Sequence, residues 1–400
     1  MATATTDQPV SDAGDPDAEL REELLAVVRR FRDEMIIPTA ARYDAEDLYP
    51  EPIVEKMKEL GLFGITVPPE YGGLGLDVRT YAQIVEELAY GWMTVSGFLN
   101  THFMGCFLIK TFGTEDQKQR FLPRMATGEI RGAYSLSEPD AGSDVASIRT
   151  RAVRDGDDYV VNGTKMWLTN GREAGVAVTL VKTDPDAAHR GMSVLLVEKE
   201  PGPRFEGITV GPNIHKLGYR GVETVELVFD DHRVPAANLL GGEEGQGFFQ
   251  MMAAVELGRI NISARAVGVA RRAFEESIRY AQQRETFGKP IAQHQAIQFK
   301  LAEMGTKLHA ARLMCYDAAD RKHRGERCDL EAGMAKYFAS EACWEICQEA
   351  LRIHGGNGYA AEYPIERLYR DAPLMIVGEG TNEIQKMVIG RRLLDEYGVD

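Results

Sequence analysis

The sequence predicts an α+β protein with a helical N-terminal part, a central antiparallel β barrel or sandwich, and a helical C-terminal part. Three observations carry that prediction. Apolar residues recur at helical spacing up to about residue 130; from there to about 241 they fall in short Val-, Leu- and Thr-rich runs; helical spacing then returns and stays. At 400 residues the chain is too long for one hydrophobic core. The expected units are a disordered tail over 1–18, a helical domain over 19–130, a β domain over 131–241 and a helical bundle over 242–400.

In chain order, Leu20, Leu24, Val27, Val28 and Phe31 line one face of a helix, and Ile53, Val54, Met57 and Leu60 repeat the spacing until Gly61 ends it. The segment 68–76 holds too many glycines and prolines for anything but a loop. Tyr81, Ile84, Val85, Leu88 and Ala89 resume a helix. Arg154-Asp155-Gly156-Asp157 signals a hairpin turn into Tyr159-Val160-Val161, and Asn162-Gly163 leads into Met166-Trp167-Leu168. Further strand-like runs are Val176–Val181, Met192–Val197 and Val225–Phe229. After Gly241–Gly245, a long amphipathic face runs through Val267, Ala270, Phe274, Ile278 and Ala281, and 292–323 and 329–354 are of helix length.

Charge and cysteines exclude some function classes. The net charge of 46 − 61 = −15 argues against nucleic acid and anionic membrane surfaces as partners. The five cysteines are odd in number and include no Cys-x-x-Cys pair; Cys343 and Cys347 stand at i,i+4 spacing, which reads as apolar filler rather than a disulfide. A reducing, cytoplasmic setting is expected. No apolar run reaches membrane-span length, and the acidic first nineteen residues do not read as a signal peptide. The eight histidines show no metal spacing, and His354 reads as a structural hydrogen-bonder.

Four stretches can carry chemistry. Val377-Gly378-Glu379-Gly380-Thr381 puts one carboxylate between glycines after an apolar run; it reads as a buried general base or, equally, as a helix C-cap and turn. Tyr134–Asp144 is a Gly- and Ser-containing loop suited to a polar ring edge or a phosphate; a plain polar turn is the simpler reading. Trp167 with Thr169 suits one face of a planar cofactor, the simpler reading being a core Trp at a strand end. Arg284-Glu285-Thr286-Phe287-Gly288 offers a cation fit for a pyrophosphate, or only a solvated turn between helices. Neither a Rossmann fingerprint nor a nucleophile elbow is present.

Taken together and in this order, Tyr134–Asp144, Lys165–Gly171, Arg284–Gly288 with His294-Gln295, Gly355–Gly358 running to Arg370-Asp371, and Glu379-Gly380-Thr381 resemble the acyl-CoA dehydrogenase family, over about residues 20 to 395. The resemblance implies a C-terminal four-helix bundle, non-covalent FAD and a homotetramer with each FAD at an interface between chains. It implies that Tyr134, Leu136, Ser137 and Ser143 line the flavin, with Ser143 shared with the CoA side, and that Trp167 and Thr169 sit against its ring. It implies that Arg284, Thr286, Phe287, Gln295, Arg352, Gly355 and Gly356 reach the FAD of a neighbouring chain. Thr381 to Glu383 would meet the adenosine end, and Glu256, Arg259 and Gly380 the thioester side. Leu62, Leu74 and Leu76 match surface positions at which relatives receive an anchor from electron-transfer flavoprotein.

The implied reaction is α,β-dehydrogenation of an acyl-CoA thioester to trans-2-enoyl-CoA, with Glu379 as base, FAD as hydride acceptor and electron-transfer flavoprotein as partner. An oxygen-using acyl-CoA oxidase or nitroalkane oxidase, and a silent acyl-CoA-binding protein, are the alternatives. Arg352, Val222 and Gly378 depart from the family pattern, which usually has Gln, Ser and often an aromatic there. Some relatives carry the base just before Arg259; Gly258 cannot serve, which leaves Glu379 as the only expected base. Relatives taking glutaryl-type substrates place an Arg near Met93. Because Tyr81–Phe107 contains no Arg or Lys, a monocarboxylic substrate is expected.

Overall fold

The computed structural model describes residues 18–398; residues 1–17 of the expected tail lie outside them. Helices α1 (Ala18–Phe31), α2 (Ile37–Ala45), α3 (Glu51–Glu59), α4 (Val78–Gly91), α5 (Met93–Phe112) and α6 (Glu115–Ala126) form the N-terminal part. A π-turn, Arg32–Ile36, joins α1 to α2. Gly61 ends α3 at φ 67°, as the spacing predicts. Asp77 caps α4 by accepting from the Thr80 N–H at 2.8 Å, and Thr114 with Gln117 forms a capping box on α6.

Strands β1 (Gly132–Ser135), β2 (Arg151–Asp155), β3 (Asp158–Thr169), β4 (Val176–Lys182), β5 (Met192–Glu198), β6 (Arg204–Phe205), β7 (Ile208–Val210) and β8 (Thr224–Pro235) make one curled sheet in the order β1-β4-β2-β3-β8-β7-β6, with β5 paired to β4. The Asp155-Gly156-Asp157 hairpin is present, pairing Asp155 with Asp158. Asn162-Gly163 is not a turn. β3 runs through it, and the register shifts there and again between Lys165 and Leu168. The sheet is mostly antiparallel, but β1 and β2 both pair parallel with β4.

Period-two alternation splits β4 between two cores. Val176, Val178 and Leu180 face the helices, while Ala177 and Val181 join Val161, Leu195 and Val225 on the sheet's other side.

The C-terminal part holds α7 (Gly247–Gln283), a two-residue-turn hairpin of β9 (Glu285–Thr286) and β10 (Lys289–Pro290), α8 (Gln295–His323), α9 (Asp329–His354), α10 (Ile365–Asp371), α11 (Leu374–Val377) and α12 (Asn382–Glu396). Helices α7, α8, α9 and α12 pack as a four-helix bundle, and α4 and α5 lie against α7. Cys343 and Cys347 are buried filler in α9, and His354 stacks on Tyr280 at 4.3 Å. Among the described residues no helix is long and apolar enough to cross a membrane.

Candidate active site

One turn of α5 organises the site. Residues 93–106 of this helix are buried on every side, so each of its polar groups must find a partner inside the protein. Asn100 donates from Nδ2 to Glu379 Oε1 at 2.7 Å. Thr101 donates to the Gly132 carbonyl at 3.3 Å, and His102 Nδ1 accepts from the Gly132 N–H at 3.1 Å, which fixes the start of β1. Asn170, next to Thr169, donates to the Phe98 carbonyl at 3.2 Å and to Thr101 Oγ1 at 3.1 Å. Glu379, the Tyr134 strand and the Trp167–Thr169 strand end are therefore tied to the same stretch of helix, Phe98–His102.

Glu379 lies in the four-residue link between α11 and α12 at φ 54°, a conformation that costs a residue with a side chain about 1 kcal/mol or more. The surroundings enforce it. Gln385 Nε2 donates to the carbonyls of Glu379 and Gly380 at 3.3 and 3.0 Å, and Thr381 caps α12 by accepting from the Ile384 N–H. Lys336 of α9 donates to the Ile376 carbonyl and to Asn382 Oδ1 at 2.9 and 2.7 Å. The carboxylate lies over Gly258: a Cβ there would come within 2.9 Å of Glu379 Oε2. Gly258 is thus the space the base occupies.

Burial pushes the Glu379 carboxyl above the usual carboxylate range, against the Asn100 hydrogen bond and the charges of Arg265, Lys336 and Arg259, which pull it down. Lys336 is itself lowered to about 8 by burial, with Glu379 opposing that shift. Tyr134 donates to the Met251 carbonyl of α7 at 2.9 Å, and burial and the Glu379 charge both raise its phenol.

The remaining expected residues fall into distinct places. Leu136 and Ser137 are half-buried on the segment leaving β1, which buried Lys165 holds by donating to the Leu136 carbonyl (3.1 Å) and Glu138 (2.9 Å); Ser143 is exposed beyond it. Trp167 is not a core residue. The irregularity in β3 turns it out at φ 65°, 56% exposed, beside half-buried Thr169. An aromatic face held at the surface next to a hydroxyl fits a planar ring. Arg259 is buried with Nε unpartnered, whereas Glu256 pairs with Lys322 at 2.7 Å and is turned away from Glu379. Gly380 sits at φ 81°, and Glu383 is exposed in the first turn of α12.

Arg284, Thr286, Phe287 and Gln295 stand at the far end of α7, on the order of 40 Å from Gly258 along the helix. Thr286 bonds His294 at 3.1 Å, while Arg284 and Gln295 are exposed and Phe287 is 97% exposed at the hairpin tip. Arg352 pairs with Glu349 at 2.5 Å beside exposed Gly355 and Gly356. Val222 is buried, its carbonyl accepting from Lys216 at 3.0 Å; a Cβ on Gly378 would meet only the Leu374 carbonyl.

One expectation is corrected. Leu62 is not a surface residue: it is fully buried in the turn after Gly61, while Leu74 is 47% exposed and Leu76 half-buried. Gly61 in the left-handed conformation turns the chain inward there. Asn100 and Arg265, which no motif singled out, join the site from helices whose local pattern is only that of core.

The fold and site agree with known proteins. Models of the acyl-CoA dehydrogenase N-terminal, middle and C-terminal domains match residues 18–129, 133–232 and 245–394. The chain belongs to the acyl-CoA dehydrogenase family. It is 44% identical to an acyl-CoA dehydrogenase of Bacillus subtilis over 92% of this chain and 96% of the relative. It is 40% identical to a 3-(aryl)acrylate reductase of Clostridium sporogenes over 94% and 99%. The structure of butyryl-CoA dehydrogenase from Megasphaera elsdenii superposes with a TM-score of 0.91 at 36% identity, covering 97% of this chain and 100% of that one. Acyl-CoA dehydrogenases are FAD-dependent oxidoreductases, and this chain is an enzyme of that kind.

Proposed function

We propose that Glu379 removes the α-proton of an acyl-CoA thioester while the β-hydride leaves for FAD, giving a trans-2-enoyl-CoA. The observation that carries this reading is a single carboxylate held in a strained link, raised by burial and oriented by Asn100. FAD, when bound, supplies the hydride acceptor. Tyr134, Leu136, Ser137, Ser143, Trp167 and Thr169 would hold its flavin end, and Thr381 with Glu383 would meet its adenosine end.

Glu379 holds the abstracted proton at Oε1 or Oε2, and Asn100 keeps one oxygen anchored so that the other faces the substrate. Burial raises the carboxyl, and the Asn100 hydrogen bond with the charges of Arg265, Lys336 and Arg259 opposes that rise and favours the ionised form. Arg259 and Gly380 would flank the thioester. A reductase among the relatives fits the same residues, since proton and hydride can travel either way.

Assembly supports the cofactor reading. Arg284, Phe287, Gln295, Arg352, Gly355 and Gly356 are exposed, and Arg284 stands about 40 Å along α7 from Gly258, which supports a role for them toward the FAD of a second copy in a homotetramer. Exposed Leu74 would take part in receiving electron-transfer flavoprotein. Five free, buried cysteines accord with a reducing, cytoplasmic setting.

Anaerobic mixing of the holoenzyme with a panel of acyl-CoA thioesters tests the reaction: bleaching of the flavin by some of them is expected, and none at all would refute it. Turnover with oxygen alone, at the rate seen with electron-transfer flavoprotein, would make the enzyme an oxidase.

A further inference from the structure

Helix α7 passes the site with two arginines in very different circumstances. Arg271 is paired with Glu86 at 2.7 Å and Glu87 at 2.5 Å. Arg265, six residues earlier, is 2% exposed, yet its Nε and one Nη have no hydrogen-bond partner, and no carboxylate among the described residues lies within ion-pair distance of it. A guanidinium buried with open donors costs several kcal/mol. Its nearest compensation is weak: it sits 5.4 Å from the ring centre of Tyr219. That ring is fixed in turn, because the Tyr219 N–H donates to Asp371 at 2.7 Å and the hydroxyl fills the space over Gly97.

Arg265 also points the right way. It follows Gly258 by seven residues, so it lies on the same stripe, about 20° round and about 10 Å further along. Helical side chains lean toward the N-terminus, which carries the guanidinium back toward Gly258 and the base above it. Its charge acts on Glu379 without bonding it, and on Tyr81, whose hydroxyl accepts from Asn261 at 2.6 Å. Asn261 Oδ1 is likewise buried and unpartnered. The α7 stripe beyond Glu379 therefore ends in polar groups, not in the closed apolar floor a fatty chain would meet.

We infer that Arg265 receives a second anionic group on the substrate, so that this enzyme takes a short dicarboxylic acyl thioester, its activated end at Glu379 and its free carboxylate at Arg265. The inference rests on the reading of Glu379 as the α-proton base. It replaces the expectation of a monocarboxylic substrate, which considered only α5 as the source of a cation. The axial spacing, shortened by the backward lean of the arginine, suits a diacid of about four to six carbons.

The test is anaerobic flavin reduction of the holoenzyme by matched pairs, succinyl- against butyryl-CoA and glutaryl- against pentanoyl-CoA. In at least one pair the diacid should be favoured in kcat/KM by about tenfold or more. Arg265→Gln should lower the diacid-to-monoacid ratio by about a hundredfold, the scale of a broken buried charge pair. Arg265→Lys should restore part of it.

If Arg265 is only a counter-charge for Glu379, Arg265→Gln will slow both members of each pair equally, and the inference falls. It falls also if wild-type enzyme prefers the monoacid in both pairs, a result that needs no variant and leaves the dehydrogenase reading intact. Bleaching by neither class would overturn both readings.

Discussion

Around Glu379, charge is held out of water: a buried carboxylate, one amide donor at 2.7 Å, and three cations near enough to pull on its proton. At the other end of α7, Arg284 and Phe287 are exposed to solvent, Phe287 meeting the edge of His294 at 6.1 Å. Helix α7 connects the two regions and is the reason they differ. Its first half is enclosed by α4, α5 and α9, and its last turn runs out into the β9–β10 hairpin. On the proposed reading, the first region draws its base and its cations from one chain, and the second would serve the flavin of another copy.

The sharpest way to break that comparison is to remove the enclosed charge. Glu379→Gln keeps the size and the Asn100 contact but has no basic oxygen. It should retain FAD and lose flavin reduction by about a thousandfold or more, the upper part of what a positioned base contributes. Stopped-flow absorbance of the flavin is the measurement. Near-normal reduction would show that Glu379 is a turn residue and nothing else.

Gly258→Ala attacks the same region through space alone. The new Cβ would stand 2.9 Å from Glu379 Oε2 and 3.0 Å from its Cδ, so the base must move. A displacement of that order costs about a hundredfold in rate. Replacing a helical glycine with alanine favours the helix itself, by about 1 kcal/mol in an exposed position. Unfolding temperature should therefore hold while flavin reduction falls; loss of both together would mean that the variant damages packing instead of placement.

How much of this was legible beforehand follows from the range of each signal. Helices α8 and α9 and strands β4 and β5 were readable because their periodicity is local and their ends carry turn residues. Glu379 was readable because a lone acid between two glycines after an apolar run is odd within five residues. Asn100 was not, since it lies on a helix buried all round and its partner is 279 residues away. Arg265 was hidden for the same reason: in sequence it is one more cation in an amphipathic helix, and only the fold shows that among the described residues no acid lies within ion-pair distance of it. Leu62 was misplaced because its surface position was carried over from the family resemblance, whereas here the chain turns inward after Gly61 and buries it. Trp167 was left open between core and cofactor, and the irregularity in β3 rules out the core reading by turning it to the surface.

The exposed region is probed by Arg284→Ala. If the hairpin serves a neighbour's cofactor, losing one charge-assisted contact should weaken FAD binding by about tenfold or somewhat more. A ligand that binds only the assembled state stabilises it by mass action, so the oligomer should loosen in parallel and recover in part when FAD is added. Sedimentation of apo and FAD-loaded protein, wild type and variant, reads both effects. Full flavin content in an unchanged oligomer would mean that Arg284 is a solvated turn residue and that the two regions are independent.

The smallest effect sharpens the comparison most, because it concerns the balance inside the enclosed region. Burial raises the Glu379 carboxyl, and the Asn100 hydrogen bond is the foremost of the influences opposing that rise, ahead of Arg265, Lys336 and Arg259. The base is active only when ionised, so flavin reduction should be lost as pH falls through its raised pKa, at higher pH than an ordinary carboxylate would give. Asn100→Ala removes the donor that favours the ionised form. The carboxyl then rises further, and the acid limb of the rate profile moves to higher pH. Asn100→Ala leaves Arg265, Lys336 and Arg259 in the chain, so the shift reports on the amide. The measurement is single-turnover flavin reduction against pH for wild type and Asn100→Ala with one substrate. A limb that moves to lower pH, or does not move, would mean that the Asn100 contact does not stabilise the carboxylate and that Arg265, Lys336 and Arg259 keep the base ionised without it.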